Sequence, residues 1–85
     1  PNSITVISTI SDVTTYSIVN KVVKDDLIFN KTKRDKITSL PGVFELVVSS
    51  HKNEMIVKID VDFADEYLEK YFGENSSNDP TQLNK

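Results

Sequence analysis

The sequence contains no cysteine, only two glycines and a single histidine. Without cysteine, the chain has no disulfide, no thiolate nucleophile and no cysteine-ligated metal site, so packing alone must hold the fold. No apolar run approaches the roughly 18 residues of a membrane-spanning helix. The N-terminus also lacks the basic and then apolar order of a signal peptide. We therefore expect a soluble intracellular chain, cytoplasmic or nuclear, with no membrane partner.

The single histidine offers little for catalysis. His51 falls at the tip of a predicted hairpin beside Ser49 and Ser50, where serine is ordinary turn chemistry. Catalysis would require a nucleophile and an orienting carboxylate near the imidazole, in a site that excludes water. No glycine-rich phosphate loop or zinc-ligand spacing occurs elsewhere. We expect no enzyme, no catalytic residue and no cofactor.

Four acidic residues crowd into a short stretch, namely Asp60, Asp62, Asp65 and Glu66. Hard cations such as Ca²⁺ and Mg²⁺ bind oxygen clusters, but this spacing lacks the glycine and the distal glutamate of a helix-loop-helix calcium site. Capping of a helix that starts at Asp62 explains the acids better. No metal site is expected.

The 85 residues, 38% hydrophobic and 27% charged, have the composition of one ordinary globular domain. We expect a single domain over residues 1–73. The polar segment 74–85 has almost no apolar side chain and is predicted to be a disordered tail or a linker.

The first half predicts a strand and two helices. Ser3 to Ile10 is rich in β-branched residues that alternate, which is typical of a strand. Apolar residues then recur at helical spacing, which predicts an amphipathic helix over Val13 to Ile28 after a cap at Ser11-Asp12. The β-branched content of this segment leaves a strand within Tyr16 to Val23 as an open alternative. Asn30 can cap a short second helix over residues 31–40.

The second half predicts a β-hairpin and a helix. Pro41-Gly42 ends the second helix, and the strands Val43 to Ser49 and Met55 to Val61 follow. The last helix carries an apolar stripe and ends at Gly73. The residues expected to face the core on the strands are Ile4, Val6, Ile10, Phe44, Leu46, Val48, Met55, Val57, Ile59 and Val61.

These elements predict a small α+β sandwich of order β-α(α)-β-β-α, with a three-stranded sheet and helices on one face. The order resembles the ferredoxin-like fold without its last strand. Residues 37–59, with the turn Leu40-Pro41-Gly42-Val43, resemble the middle of a heavy-metal-associated domain. That family holds its metal with a Cys-x-x-Cys pair, which the corresponding residues 10–16 lack, so metal transport does not follow.

The order also resembles two nucleic-acid-binding folds. In an RNA-recognition motif, bases stack on outward aromatic residues of the sheet. The outward positions expected here contain no aromatic residue; they are Thr5, Ile7, Thr9, Ile56, Lys58 and Asp60. With two helices after the first strand the order is KH-like, but the place of the KH Gly-x-x-Gly loop, residues 28–32, contains no glycine.

Two surfaces remain as candidate sites for a protein partner. Tyr71 and Phe72 at the end of the last helix are aromatic and would anchor a partner if they protruded. The sheet face that no helix covers is expected to include Ile7 and Val47, and an exposed sheet edge can accept a strand. We therefore predict a non-enzymatic protein-interaction domain, an oligomerisation or adaptor module included, whose partner is another protein or a second copy in a homodimer.

The alternative function is nucleic-acid binding through a basic cluster. Lys31, Lys33, Arg34 and Lys36 follow one another closely on the predicted second helix and are candidates for phosphate contacts. A solvated helix face explains the same residues, and Asp35 interrupts them. Nucleic acid is therefore the less favoured partner.

Overall fold

The computed structural model describes residues 1–73. Within this range the chain forms four strands and three helices. In chain order they are β1 (Ser3–Ile10), β2 (Val13–Val19), α1 (Lys21–Phe29), α2 (Lys31–Thr38), β3 (Val43–Val48), β4 (Met55–Asp60) and α3 (Val61–Phe72).

The four strands form one antiparallel sheet in the order β1-β2-β4-β3. A two-residue turn joins β1 to β2, with Ser11 at φ 52° and Asp12 at φ 65°. Two consecutive positive φ angles are the signature of a type I′ turn, whose twist matches that of the strands it connects. Because β1 and β3 end the strand order, they are the two edge strands of the sheet.

The predicted helix over Val13 to Ile28 is wrong in its first half. Residues 13–19 form β2, because a run of valine, threonine, tyrosine and isoleucine packs well on a pleated sheet and loses side-chain freedom in a helix. Asn20 then starts α1 by accepting a hydrogen bond from the Val23 N–H at 3.2 Å. The open alternative of a strand in this region was correct as far as Val19.

This extra strand changes the topology. The predicted three-stranded sheet is wrong, and the ferredoxin-like or KH-like order is not confirmed, because a second strand precedes the first helix. Residues 1–73 form a small α+β domain with an antiparallel sheet and three helices.

The core lies between the helices and one face of the sheet. Helix α3 contacts β2 and β4, whereas α1 and α2 both contact β3. Ile18 on β2 and Met55 on β4 are directly opposed and fully buried. The buried apolar residues are Ile18, Leu27, Ile37, Met55, Val57, Ile59, Ala64, Tyr67, Leu68 and Phe72.

The predicted second helix, hairpin and last helix are confirmed with small shifts of their ends. The α3 cap is Asp60 rather than Asp62, because its Oδ1 accepts from the Asp62 N–H at 2.8 Å. Val61 therefore opens the helix instead of ending the strand, and 41% of it is exposed. Gly73 ends α3 in the left-handed conformation at φ 72°. The predicted tail lies outside the described residues.

Two irregularities of the sheet overturn predicted facings. The register of β1 shifts between Val6 and Ser8, so Thr9 lies on the helix side and Ile10 on the opposite side. The β3 register shifts between Val43 and Glu45. Phe44 falls in that shift and is 62% exposed. A bulge adds one residue to a strand, which reverses the alternation after it.

Candidate functional site

One side of the sheet carries no helix among residues 1–73, and we call it the open face. It consists of the strand residues that alternate with the core residues, since successive side chains point to opposite sides. The register aligns them in rows across the strands. The rows are Thr5, Ser17, Ile56 and Val47, then Ser8, Thr15, Lys58 and Glu45, then Ile10, Val13 and Asp60.

The chemistry of the open face is mixed. Ser17 Oγ donates to Glu54 Oε2 at 2.6 Å, and Lys58 Nζ lies 3.4 Å from Glu45 Oε1. Aliphatic side chains flank these polar pairs, with Val47 at 47% exposure on the β3 side. Such a mixture of hydroxyl, paired charge and aliphatic groups does not by itself distinguish an interface from ordinary protein surface.

The β1 edge concentrates exposed apolar side chains. Val6, Ile7 and Ile10 are 57%, 55% and 70% exposed, respectively. Val6 lies on the helix side, opposite Tyr16, and its exposure shows that the helices leave β1 partly uncovered. Ile7 and Val47 are both exposed, as predicted. Ile7 falls in the register shift of β1, so its predicted place on the open face is not confirmed, and the role of both residues stays a prediction.

The aromatic end of α3 is mostly internal. Phe72 does not protrude, as an anchor for a partner would require, because the side chain is 1% exposed and belongs to the core. Tyr71 is half-buried, with its ring edge-on to Tyr67 at 5.8 Å between centroids. Lys70 Nζ lies 5.5 Å from the Tyr71 ring centroid. Neither aromatic residue offers the fully exposed anchor that the sequence suggested.

The rest of the aromatic stripe fixes α3 to the turn before β3. Tyr67 Oη donates to the Pro41 carbonyl at 2.6 Å, and its ring stacks on Phe63 at 5.5 Å. Burial raises the pKa of the Tyr67 hydroxyl, and the negative charge of Glu66 raises it further. This hydroxyl therefore stays protonated as a donor at neutral pH.

Most of the basic cluster is engaged within the chain. Lys31 Nζ lies 2.6 Å from Asp35 Oδ2, and Lys33 Nζ lies 2.8 Å from Asp26 Oδ2. Arg34 Nη1 donates to the Leu27 and Ile28 carbonyls at 2.7 and 3.0 Å, so it satisfies groups at the end of α1. Lys36, the fourth predicted phosphate contact, is exposed. Three of the four cations thus already have partners of opposite charge or dipole.

The remaining candidates for chemistry do not converge. His51 is exposed in the loop between β3 and β4. The Ser49 hydroxyl there accepts the backbone N–H groups of His51 and Lys52 at 3.2 and 3.1 Å. Residues 1–73 contain no cluster of three or more histidines and acids placed to hold a metal ion. The same range encloses no pocket and has no helix long and apolar enough to cross a membrane.

Sequence reasoning missed two groups of exposed apolar residues. Val22 and Phe29 lie on the outer side of α1, at 80% and 87% exposure, while Lys24 on the same helix is buried. Their spacing would have indicated this only with the correct start of α1. On β1, Val6 and Ile10 were assigned to the core. The signal for that edge was the absence of any charged residue from Ser3 to Ile10.

The chain is an antiparallel α+β domain with an open sheet face and two edge strands. No family model matches it, and comparison with curated proteins and with solved structures likewise gave no match.

Proposed function

We propose that this chain is a non-enzymatic protein-interaction domain that binds a partner through the open face and the β1 edge. The observation that carries the proposal is the uncharged edge strand β1, which residues 1–73 leave partly uncovered, beside the open face. Proteins that do not use such an edge usually protect it with charge, proline or a covering element. An edge of this kind can accept an additional strand, with main-chain hydrogen bonds giving affinity.

The end of α3 is a poorer candidate for the partner site. Phe72 is buried, and Tyr71 contacts Tyr67 and Lys70. A partner at the end of α3 would find little free aromatic surface. The open face and the β1 edge therefore account best for an interaction domain.

A pull-down of binding proteins, with the wild-type chain and matched lysine variants as baits, tests the proposal. Val47 on the open face and Val22 on the outer side of α1 are both exposed, so either lysine should leave the fold intact. We expect the wild-type chain and Val22→Lys to retain the same partner protein. Ile7→Lys should lose a partner that pairs with the β1 edge, a second copy of the chain included, and Val47→Lys should lose a partner that covers the open face. The interaction is then reproduced with the purified partner, whose identity mass spectrometry establishes.

Equal retention by every variant, loss with Val22→Lys alone, or no partner at all would refute the proposal.

A salt titration of polynucleotide binding tests the alternative function, nucleic-acid binding. Binding through phosphate contacts strengthens steeply as salt falls, and it should weaken with Lys36→Glu. The affinity for a protein partner bound at the open face should depend little on salt.

A further inference from the structure

β1 has a free edge along its whole length. It ends the strand order and pairs only with β2 among residues 1–73, so the backbone groups on its other side have no strand partner in that range. The strand has eight residues and contains neither a charged residue nor a proline. Of the features that protect edges, only a bulge is present.

The other edge strand is protected. Glu45 places a charge on β3 and pairs with Lys58 at 3.4 Å. Helices α1 and α2 both contact β3, whereas Val6 on the helix side of β1 stays 57% exposed. A partner strand therefore has better access to β1 than to β3.

The absence of charge favours a second copy of the same strand as the partner. Two β1 strands meet without the like-charge repulsion that disfavours most self-pairing. A twofold axis would bring the same edge of both copies together, which is the commonest arrangement of homodimers.

The bulge restricts the registers that this pairing can adopt. Directly opposed residues of antiparallel strands point to the same face. Ile4 and Thr9 would point to different faces in a regular strand, but the bulge puts both on the helix side, opposite Ile18 and Thr14. An axis between Val6 and Ile7 therefore opposes Ile4 with Thr9, which point to the same side.

The same register agrees on the open face. Thr5 and Ser8 both point there, since they oppose Ser17 and Thr15 of β2. An axis through Val6 alone would oppose Ile4 with Ser8, which face opposite sides. The axis between Val6 and Ile7 also uses all eight residues of the strand. Its pairs are Ser3 with Ile10, Ile4 with Thr9, Thr5 with Ser8, and Val6 with Ile7 of the second copy.

We infer that two copies of this chain associate through antiparallel β1 strands, about a twofold axis between Val6 and Ile7, into one continuous eight-stranded sheet. The inference rests on the proposed function and names its partner as a second copy. The twofold axis is perpendicular to the sheet, so the helices of both copies lie on the same side. The paired strands extend over about 27 Å, and so small an interface should associate weakly.

Sedimentation equilibrium of the full chain, over about two decades of concentration up to ~1 mM, tests the association. The wild-type mass should rise toward twice the monomer mass. Ile7→Lys, whose lysines meet near the axis, should lower the association constant by at least about tenfold. The matched control Phe44→Lys adds the same charge to the other edge at a similarly exposed residue and should change the constant by less than about twofold.

Disulfide trapping tests the register in this cysteine-free chain. Opposed Cβ atoms are close enough for a disulfide to form. A mixture of Thr5→Cys and Ser8→Cys chains should give mainly the mixed cross-linked dimer, and each variant alone should cross-link much more slowly. Circular dichroism and urea unfolding confirm that every variant is folded.

A monomeric mass at all concentrations, an association that Ile7→Lys leaves unchanged, or equal cross-linking of the single variants would overturn the inference. If the chain stays monomeric while Val47 or Ile7 mediates capture of a different protein, the dimer is excluded and the proposed function stands. If it binds neither itself nor another protein, both fail.

Discussion

The two edges of the sheet differ in how they are protected, although both belong to one small antiparallel sheet. β3 carries Glu45, pairs it with Lys58 and lies under two helices. β1 carries no charge, and its residues Val6 and Ile7 are more than half exposed. Edge strands invite pairing, and β1 is the edge that residues 1–73 leave without charge or cover, which is the basis of the proposed function. The comparison places the candidate binding site on β1.

Helices cover β3 more completely than β1, so truncating a side chain in the helix layer over β3 should cost more unfolding free energy than truncating one on β1. Leu27 on α1 is fully buried, so Leu27→Ala should lower the free energy of unfolding by about 3 kcal/mol. Val6 is 57% exposed, and Val6→Ala should cost less than about 1 kcal/mol. Urea unfolding at a concentration where the chain is monomeric measures both. Equal losses would show that helices cover β1 as well as β3.

A smaller loss of unfolding free energy is expected for a substitution at Gly42, in the turn before β3. Gly42 has φ +85°, and a Cβ there would lie 2.5 Å from Phe63 Cδ2. Gly42→Ala should therefore destabilise the chain by about 2 kcal/mol, from backbone strain and the contact together. In the background of Phe63→Ala, the same substitution should cost less, since only the backbone strain remains. An identical cost in both backgrounds would contradict the role assigned to the Phe63 ring.

The smallest expected effect is a gain at the turn that brings β1 onto the sheet. Ser11 and Asp12 both have positive φ, which asparagine and glycine adopt with less strain. The double substitution Ser11→Asn and Asp12→Gly should raise the free energy of unfolding by about 1 kcal/mol. The thermal midpoint reports it. A lower midpoint would show that the Ser11 or Asp12 side chain stabilises the turn by a contact that outweighs the strain.

Periodicity predicted the elements whose signals are unmixed. β1, the β3–β4 hairpin, α2 and α3 follow from alternation, from capping residues and from a continuous apolar stripe. The prediction for residues 13–28 was wrong in its first half. Helical spacing runs across the junction between strand and helix, through Tyr16, Val19, Val23 and Leu27. Asn20 at that junction was not considered as a cap, although it starts α1.

The details of the candidate site were less accessible from the sequence. Ile7 and Val47 were expected to be exposed, and they are. The exposure of Ile10 was missed because a bulge adds a residue without a glycine or another local marker and reverses the facing after it. The exposure of Val6 was missed for a different reason: Val6 does face the helix side, but the helices leave β1 partly uncovered. Phe72 was misplaced for another reason, since its position at a helix end suggested exposure while the fold packs it into the core.

If β1 is a pairing edge and β3 is not, hydrogen exchange at two protein concentrations should distinguish the two strands. Main-chain amides exchange more slowly once a partner strand accepts their hydrogen bonds. We expect deuterium uptake over Ser3–Ile10 to slow as concentration rises toward ~1 mM, while uptake over Val43–Val48 stays the same. Uptake over β1 that does not depend on concentration, or slowing over β3 instead, would contradict the account.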